Sequence, residues 1–208
     1  MPKVAYSEED REKIRERLIL AALERMSSQG IQHTTVEQIY QEVGISRSFF
    51  YSFFPTKEDL VVETLYFQQP RVLALARRRM SDPALGWRQG VTQFLNACCY
   101  GEKSGIAVLS IEDQQRIFRR LSPESTRAFR ERQIQLFGSL LECFGVNPNQ
   151  RRVALLTNLC LTVLIIRRAI PETLPFFVPE AADESVACQI RGIVDLLEGF
   201  RREDSAAP

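Results

Sequence analysis

Residues 35–60, TVEQIYQEVGISRSFFYSFFPTKEDL, encode two short helices with a glycine between them, and this stretch constrains the fold more than any other. Thr35 and Gln38 have the spacing of a capping box, in which each side chain binds the backbone N–H of the other residue. Apolar residues then recur at helical spacing, and Gly44 follows where a Cβ atom would obstruct the turn that ends a helix. We therefore predict one short helix between Thr35 and Gly44.

A second short helix follows this turn. Ser46 is a favourable N-cap residue and Pro55 cannot continue a helix, so the predicted helix covers Arg47–Phe54. Two helices joined by a turn of about three or four residues that contains glycine form a helix-turn-helix.

The two sides of the second helix differ in character. At about 100° per residue, one side gathers aromatic residues that must be buried, namely Phe50, Phe53 and Phe54. The opposite side presents polar residues with two others at its borders, namely Ser48, Tyr51 and Ser52 with Arg47 and Phe49. An arginine can bind O6 and N7 of guanine together, and serine and tyrosine hydroxyls can reach phosphates. This side therefore suits the major groove of DNA.

Phe49 and Lys57 each have two interpretations. Phe49 can contact a thymine methyl group, or it can pack against neighbouring helices, which is also the alternative for Tyr51. Thr56 and Asp59 predict the start of another helix, so Lys57 lies in its first turn, where a cation opposes the helix dipole. A phosphate at that helix end would explain the lysine; otherwise it is a solvated side chain.

The run V-G-I-S-R-S-F-F-Y-S-F-F-P-T-K-E-D-L, preceded by H-T-T-V-E-Q-I, resembles the DNA-binding domain of the TetR family of bacterial transcriptional regulators. The resemblance covers Ser7 to about Leu65. It implies backbone-phosphate contacts for Thr35, Tyr51 and Lys57. It implies base-reading positions at Arg47, Ser48 and Phe49, and Ser46 completes the set of DNA-binding candidates. Phe53 departs from the family pattern, which often has a histidine there, so any contact of that histidine does not carry over.

Net charge does not indicate a strongly basic nucleic-acid binder. Residues 1–70 contain 8 basic and 11 acidic side chains and carry a net charge of −3, while the whole chain carries +1. Four of these eleven acids, Glu8, Glu9, Asp10 and Glu12, lie before the helix-turn-helix at the start of the first predicted helix. We therefore expect phosphate contacts from hydroxyls, backbone N–H groups and helix ends, with a modest dependence of binding on salt.

Cysteine and histidine usage predicts no metal site, no cofactor and no disulfide framework. The five cysteines are scattered without C-x-x-C spacing, and the chain has one histidine. Adjacent Cys98 and Cys99 are predicted to be buried free thiols, with a redox sensor as the alternative. The charged start of the chain is unlike a signal peptide, so we expect a cytoplasmic protein.

Beyond Leu60, start and stop signals recur for helices only, which predicts an all-α fold of about nine helices. A fourth helix over about Lys57–Met80 should link the two parts, with Pro70 causing either a kink that passes a ligand signal or a break without a role. Ser81-Asp82-Pro83 separates a DNA-binding domain with its linking helix, residues 7–80, from an effector-binding and dimerisation domain, residues 81–208. Further helices are predicted over about 84–100, 106–121, 123–144, from 149 onward and over 183–202, with a loop between Gly101 and Gly105 and an irregular link at Pro171, Pro175 and Pro179.

The eighth predicted helix contains VALLTNLCLTVLII, which is apolar almost all round and too short to cross a bilayer. The ninth has one clean apolar stripe. We predict that both pair with their copies in a second subunit, as the TetR resemblance implies, to form a homodimer. The alternative is that the eighth helix is the centre of a monomeric bundle.

The resemblance also implies a small-molecule effector that binds in the C-terminal domain and moves the fourth helix. Candidate pocket residues on the fifth, seventh and eighth predicted helices are Phe94, Cys98, Phe137, Leu141, Asn158 and Thr162. Asn158 and Thr162 are polar residues one turn apart on an apolar helix; hydrogen bonds within the core or across the dimer are the alternative for them. A hydrophobic or amphipathic effector is expected.

These observations predict a homodimeric regulator that binds a palindromic double-stranded DNA operator and represses transcription until its effector releases it. Activation is also compatible with the sequence. Two other classes remain as alternatives, an all-helical enzyme and a helical adaptor for protein partners. No nucleophile–base pair, phosphate-binding glycine loop or paired histidine supports the enzyme.

Overall fold

The computed structural model describes residues 6–169 and 178–206. Within these ranges the chain is all-α, as predicted, with ten α-helices, one short 3-10 helix at Pro179–Ala181 and no strand. The α-helices are α1 (Glu8–Gln29), α2 (Val36–Val43), α3 (Arg47–Phe50), α4 (Lys57–Met80), α5 (Trp87–Cys99), α6 (Gly101–Ser104), α7 (Ile111–Arg120), α8 (Pro123–Cys143), α9 (Gln150–Ala169) and α10 (Ala182–Ala206).

Helix α1 is capped by Ser7 and supports the helix-turn-helix. Ser7 and Asp10 form a capping box, and three acidic residues in the first turn favour the positive end of the helix dipole. The apolar face of α1 packs with α2, α3 and the first half of α4 around the buried side chains of Leu18, Ile39 and Phe50. This core holds α2 and α3 in place.

Helix α4 continues without a break through Pro70, so the predicted alternative of a broken helix is wrong. Its first half contributes Leu60 and Leu65 to the N-terminal core, and its second half contributes Val72 and Ala76 to the C-terminal core. A single continuous helix therefore belongs to both cores.

The segment between α5 and α7 differs from the prediction. A short helix, α6, replaces the expected loop between Gly101 and Gly105, and the helix expected from residue 106 begins only at Ile111. Two causes are visible. Ser110 and Asp113 form a capping box that starts α7, and buried Gly101 packs so closely that a Cβ atom there would collide with the carbonyl oxygen of Ile106.

Residues 106–110 connect α6 and α7 without regular secondary structure and are tied to α4. Gln68 accepts a hydrogen bond from the backbone N–H of Ala107 at 2.9 Å and donates one to its carbonyl at 3.0 Å. Ala107, Ile117 and Phe129 pack in the N-terminal core although they follow the predicted domain boundary. The two parts of the chain are therefore joined by side-chain packing as well as by α4.

Helices α5, α8, α9 and α10 form the C-terminal core with the second half of α4. Val153, Leu156, Cys160 and Val163 of α9 point inward and meet the stripe of Val186, Ile190, Ile193 and Leu197 on α10. The predicted irregular link at Pro171 and Pro175 lies outside the described residues. In the described ranges, the structure contains no helix with the length and apolar character needed to cross a bilayer.

Candidate nucleic-acid interface and effector cavities

The turn between α2 and α3 has the predicted geometry. Thr35 accepts a hydrogen bond from the N–H of Gln38 at 3.2 Å, and the Gln38 side chain accepts one from Thr35 N–H at 2.8 Å. Gly44 has φ of 77°, in the left-handed region that favours glycine. Ser46 then caps α3 by accepting from the N–H of Phe49 at 3.2 Å. These contacts turn the chain sharply between α2 and α3 and leave the first turn of α3 exposed to solvent.

Helix α3 is shorter than predicted, since it ends at Phe50 rather than Phe54. Residues 51–53 form a turn, in which the N–H groups of Ser52 and Phe53 donate to the carbonyls of Phe49 and Phe50. The Ser52 hydroxyl also donates to the Phe49 carbonyl at 2.7 Å. Because these backbone bonds span three residues rather than four, the chain tightens into a turn after Phe50, and Pro55 then prevents the helix from resuming.

Aromatic residues anchor this segment largely as predicted. Phe50 and Phe54 are 0% and 2% exposed, whereas Phe53 is only half-buried. The guanidinium of Arg11 lies 4.7 Å from the centre of the Phe53 ring and donates weakly to Ser52. Arg11 was not predicted from the sequence to have a role here, because its position on α1 became meaningful only once α1 was packed beside α3.

Most candidate DNA contacts are exposed side chains, and we call the set Thr35, Ser46, Arg47, Ser48 and Tyr51 the α3 surface. Tyr51 is 41% exposed and packs the edge of its ring against buried Phe50. The Arg47 guanidinium carbon lies 5.9 Å from the centre of the Tyr51 ring and has no acidic partner among the described residues. The surface can thus offer one arginine and several hydroxyls to a ligand rich in phosphate.

Phe49 lies at the border of the α3 surface and is packed. Its ring stacks on Tyr6 at 4.8 Å and meets Phe53 edge to face at 5.0 Å. The arrangement favours the packing interpretation of Phe49, although the half-buried ring keeps one part accessible to a base.

Lys57 is also held by the protein. Its Nζ donates to the carbonyl of Ile31 at 2.7 Å, in the loop between α1 and α2. Burial, followed by the positive charge of Arg116, lowers the pKa of Lys57 below its ordinary value. An ammonium has three donors, so a phosphate contact is compatible with this bond, but Lys57 already has a structural role.

Two internal cavities lie in the C-terminal part. The larger, the glutamine cavity, has a volume of about 120 Å³ and is lined by Gln68 and Gln69 of α4, Gln114 of α7 and Gln133 of α8, among apolar residues. The smaller, the thiol cavity, has a volume of about 50 Å³ and is lined by Phe94, Cys98, Cys99, Phe137 and Cys160. The two cavities share Val72, Cys98 and Leu164 as lining residues, so they adjoin.

The predicted pocket residues divide into two groups. Phe94, Cys98 and Phe137 line the thiol cavity, and Cys98 lines both cavities. Leu141 is fully buried in the C-terminal core but lines neither cavity. Asn158 and Thr162 are exposed on α9 and line neither of these two cavities. Packing against α8 and α10 turns the side with Leu156, Cys160 and Val163 inward, and this places residues 158 and 162 opposite.

The cavity glutamines were not predicted from the sequence. Gln68, Gln69, Gln114 and Gln133 come from three helices, and no spacing within one helix relates them. Each could be a surface residue when considered alone, so the sequence contains no signal that brings them together.

The thiols of the second cavity are in apolar surroundings that disfavour the thiolate. Burial raises the pKa of Cys98 to about 12, and that of Cys99 to about 11, and it also raises the pKa of Cys160. All three are protonated at neutral pH, which favours the prediction of unreactive buried thiols over a redox sensor. Among the described residues, no group of three or more His, Cys, Asp or Glu side chains is arranged to hold a metal ion.

Comparisons with known proteins agree with this architecture. Residues 18–64 match the family model for bacterial regulatory proteins of the TetR family. A comparison with curated proteins finds no match.

Several solved structures share the fold. A TetR transcriptional regulator from Legionella pneumophila is 18% identical, with 86% of this chain and 95% of that chain covered and a TM-score of 0.53. A transcriptional regulator from Cytophaga hutchinsonii is 15% identical, with 89% and 97% covered and a TM-score of 0.55. A regulator of the TetR/AcrR family from Thermobifida fusca is 19% identical, with 88% and 97% covered and a TM-score of 0.50.

Proposed function

Since this chain carries the DNA-binding domain of the TetR family and has the fold of TetR-family transcriptional regulators, we propose that it is a homodimeric regulator that represses transcription from a palindromic operator. A small hydrophobic or amphipathic effector releases it. The α3 surface carries this proposal. It combines an arginine without an acidic partner among the described residues, a set of hydroxyls and two buried aromatic anchors that fix their positions.

Each candidate DNA contact, on the α3 surface or beside it, has a role in this proposal. Arg47 reads a guanine, and Ser48 and Phe49 lie beside it at base-reading positions. Thr35, Ser46, Tyr51 and Lys57 contact backbone phosphates, which position the domain without reading sequence. The N-termini of α2, α3 and α4 add backbone N–H groups that favour anions.

A dimer is supported by the outer side of α9 and α10. Ala154, Asn158 and Thr162 of α9 are exposed there, and a Cβ atom built on Gly192 or Gly199 of α10 would meet nothing within 4 Å. Small side chains let a second pair of helices approach closely, and a two-fold dimer presents two recognition helices to two half-sites. The proposed interface thus uses residues that do not fill the core of one subunit.

An effector route is supported by the contacts of α4. Gln68 lines the glutamine cavity and binds the backbone of Ala107, whereas Glu58 at the N-terminal end of the same helix is paired with Arg120 of α7 at 3.0 Å. A ligand that displaces the cavity wall would therefore move α4 and α7 together. Because α4 begins directly after the α3 segment, that movement changes the position of the α3 surface.

Titration of the purified protein against labelled duplexes from its own upstream region tests this proposal, with fluorescence anisotropy as the readout. We expect saturable binding to one palindromic segment and at least 1,000-fold weaker binding to a shuffled duplex, as is typical of specific regulators. Equal binding to both duplexes, or binding to neither, would contradict the proposal and leave the adaptor and enzyme classes open.

A further inference from the structure

The lining of the glutamine cavity is apolar except for amide groups. Its walls consist of aliphatic side chains, one thiol and four glutamines, and none of the described residues that line it carries a charge. Placing an ionised group in such surroundings without a partner costs several kcal/mol or more, so a charged group is strongly disfavoured there. Neutral amides can still donate or accept hydrogen bonds.

Gln68 and Gln69 differ in what their amides do. Both polar atoms of the Gln68 amide are hydrogen-bonded to the backbone of Ala107. The Nε2 of Gln69 is buried, and no group among the described residues accepts a hydrogen bond from it. A buried donor without an acceptor destabilises the protein by about 1–3 kcal/mol, so an oxygen atom supplied by a ligand would be favoured beside it.

The size of the two cavities limits what can enter. The glutamine cavity and the adjoining thiol cavity measure about 120 Å³ and about 50 Å³. A dry apolar cavity of about 150 Å³ in another protein holds benzene. The combined space therefore fits one aromatic ring with a small substituent.

An open groove leads toward the glutamine cavity from the surface. It is lined by Tyr66, Pro70 and Arg132, and it shares Gln69 and Leu136 with the cavity. Pro70 has no N–H, so the carbonyl of Tyr66 lacks its usual donor within α4. Gln69 stands where the groove and the cavity meet, so its amide can be reached by a molecule that enters from outside.

We infer that the glutamine cavity binds an uncharged molecule of about one substituted aromatic ring, whose oxygen accepts a hydrogen bond from Nε2 of Gln69. The ring occupies the apolar space toward Cys98, and the oxygen faces the mouth of the cavity. The role of this molecule as the effector rests on the proposed function, whereas its binding does not.

Three probes of nearly the same shape test the inference by isothermal titration calorimetry with the full chain and no DNA. Acetophenone has a ring and a neutral oxygen acceptor, α-methylstyrene has the same outline without the acceptor, and benzoate carries a negative charge. We expect acetophenone to bind about 2- to 10-fold more tightly than α-methylstyrene, the range that corresponds to one net hydrogen bond. Benzoate should bind at least 10-fold more weakly than acetophenone.

The variant Gln69→Met removes the donor and nearly keeps the volume. It should abolish the preference for acetophenone over α-methylstyrene while α-methylstyrene still binds, which also shows that the variant is folded. The same change at Gln115, which is exposed on α7 next to the cavity residue Gln114, is the matched control and should alter nothing.

Three outcomes would overturn the inference. The first is tighter binding of benzoate than of acetophenone, which would assign recognition to Arg132 in the groove. The second is a preference for acetophenone over α-methylstyrene that is unchanged in Gln69→Met. The third is that none of the probes binds. Each is independent of DNA binding by the same preparation, so the proposed function could fail or hold separately.

Discussion

At the scale of single residues, the α3 surface depends on the position of one guanidinium. Arg47 lies in the first turn of α3 and is held near Tyr51, while Phe50 and Phe54 anchor the segment from beneath. A residue in this place can read a base edge, whereas Tyr51 is proposed to position the domain on a phosphate.

Replacing Arg47 by alanine should reduce binding to the operator by about 1–3 kcal/mol and relax the preference at one base pair, because a bidentate contact to guanine is lost. Tyr51→Ala should instead weaken binding to all duplexes by a similar factor. Anisotropy titrations against a set of single-base operator variants measure both effects. Arg127 is exposed on α8, so Arg127→Ala is the control and should bind as the parent does. If Arg47→Ala also bound every duplex as the parent does, the base-reading role assigned to Arg47 would be wrong.

The buried thiols predict how stability depends on pH. The pKa of Cys98 is raised to about 12 and that of Cys99 to about 11, from an unfolded value of 9.0. Between these values the unfolded chain loses a proton that the folded chain keeps, so stability is fully present below pH 9 and is lost as pH rises. Each such thiol contributes a slope of about 1.4 kcal/mol per pH unit above its unfolded pKa.

Thermal or urea unfolding between pH 8 and pH 10.5 measures this slope. Cys98→Ala should flatten it, and Cys188→Ala, at an exposed position, should not. Identical slopes in the parent and in Cys98→Ala would show that the thiol does not ionise differently in the two states.

At the scale of helices, local start and stop signals were predictable where they involve neighbours in sequence. The capping boxes at Thr35 and at Thr56 with Asp59, and the left-handed Gly44, are found as expected, since each needs only a few adjacent residues. The short helix α6 was not predictable, because Gly101 is determined by its contact with Ile106 in the folded chain. The rotation of α9 was not predictable either, because a helix that is apolar on most sides contains no sequence signal for which side faces the core.

The turn at Gly44 provides a prediction at this scale. With φ of 77°, alanine at position 44 should destabilise the protein by about 1 kcal/mol, even though a Cβ atom there would meet nothing within 4 Å. Gly138 of α8 provides the contrast, since an added Cβ would make an ordinary contact with Val153 at 4.0 Å. Gly138→Ala should stabilise the helix by about 0.5–1 kcal/mol.

Urea unfolding of both variants compares these effects directly. A Gly44→Ala variant as stable as the parent would mean that the turn between α2 and α3 can adopt another conformation.

At the scale of the whole molecule, the proposed function depends on two copies of the chain. Asn158 and Thr162 of α9 and Gly192 and Gly199 of α10 are exposed, and a Cβ atom on either glycine would meet nothing within 4 Å, which leaves room for another pair of helices. The sequence predicts that these helices form the dimer interface, and it places Asn158 and Thr162 in a pocket, whereas both are exposed on α9.

Gly192→Arg should convert the dimer into monomers, because a long charged side chain would separate helices that approach closely there. Light scattering after size-exclusion chromatography measures the mass, and anisotropy measures the operator affinity. Both should fall together in this variant. Gln115→Arg, at an exposed position of α7, is the control and should keep the mass and affinity of the parent. If Gly192→Arg kept the mass and affinity of the parent, the interface would have to lie elsewhere.

The unbroken course of α4 through Pro70 has a mechanical consequence. A helix of 24 residues extends about 36 Å, and its two halves are embedded in separate hydrophobic cores. When a helix of this length tilts by about 3° about one end, its other end is displaced by about 2 Å. Such a shift exceeds the tolerance of a hydrogen bond, so a rearrangement no larger than one methyl group can switch distant contacts off.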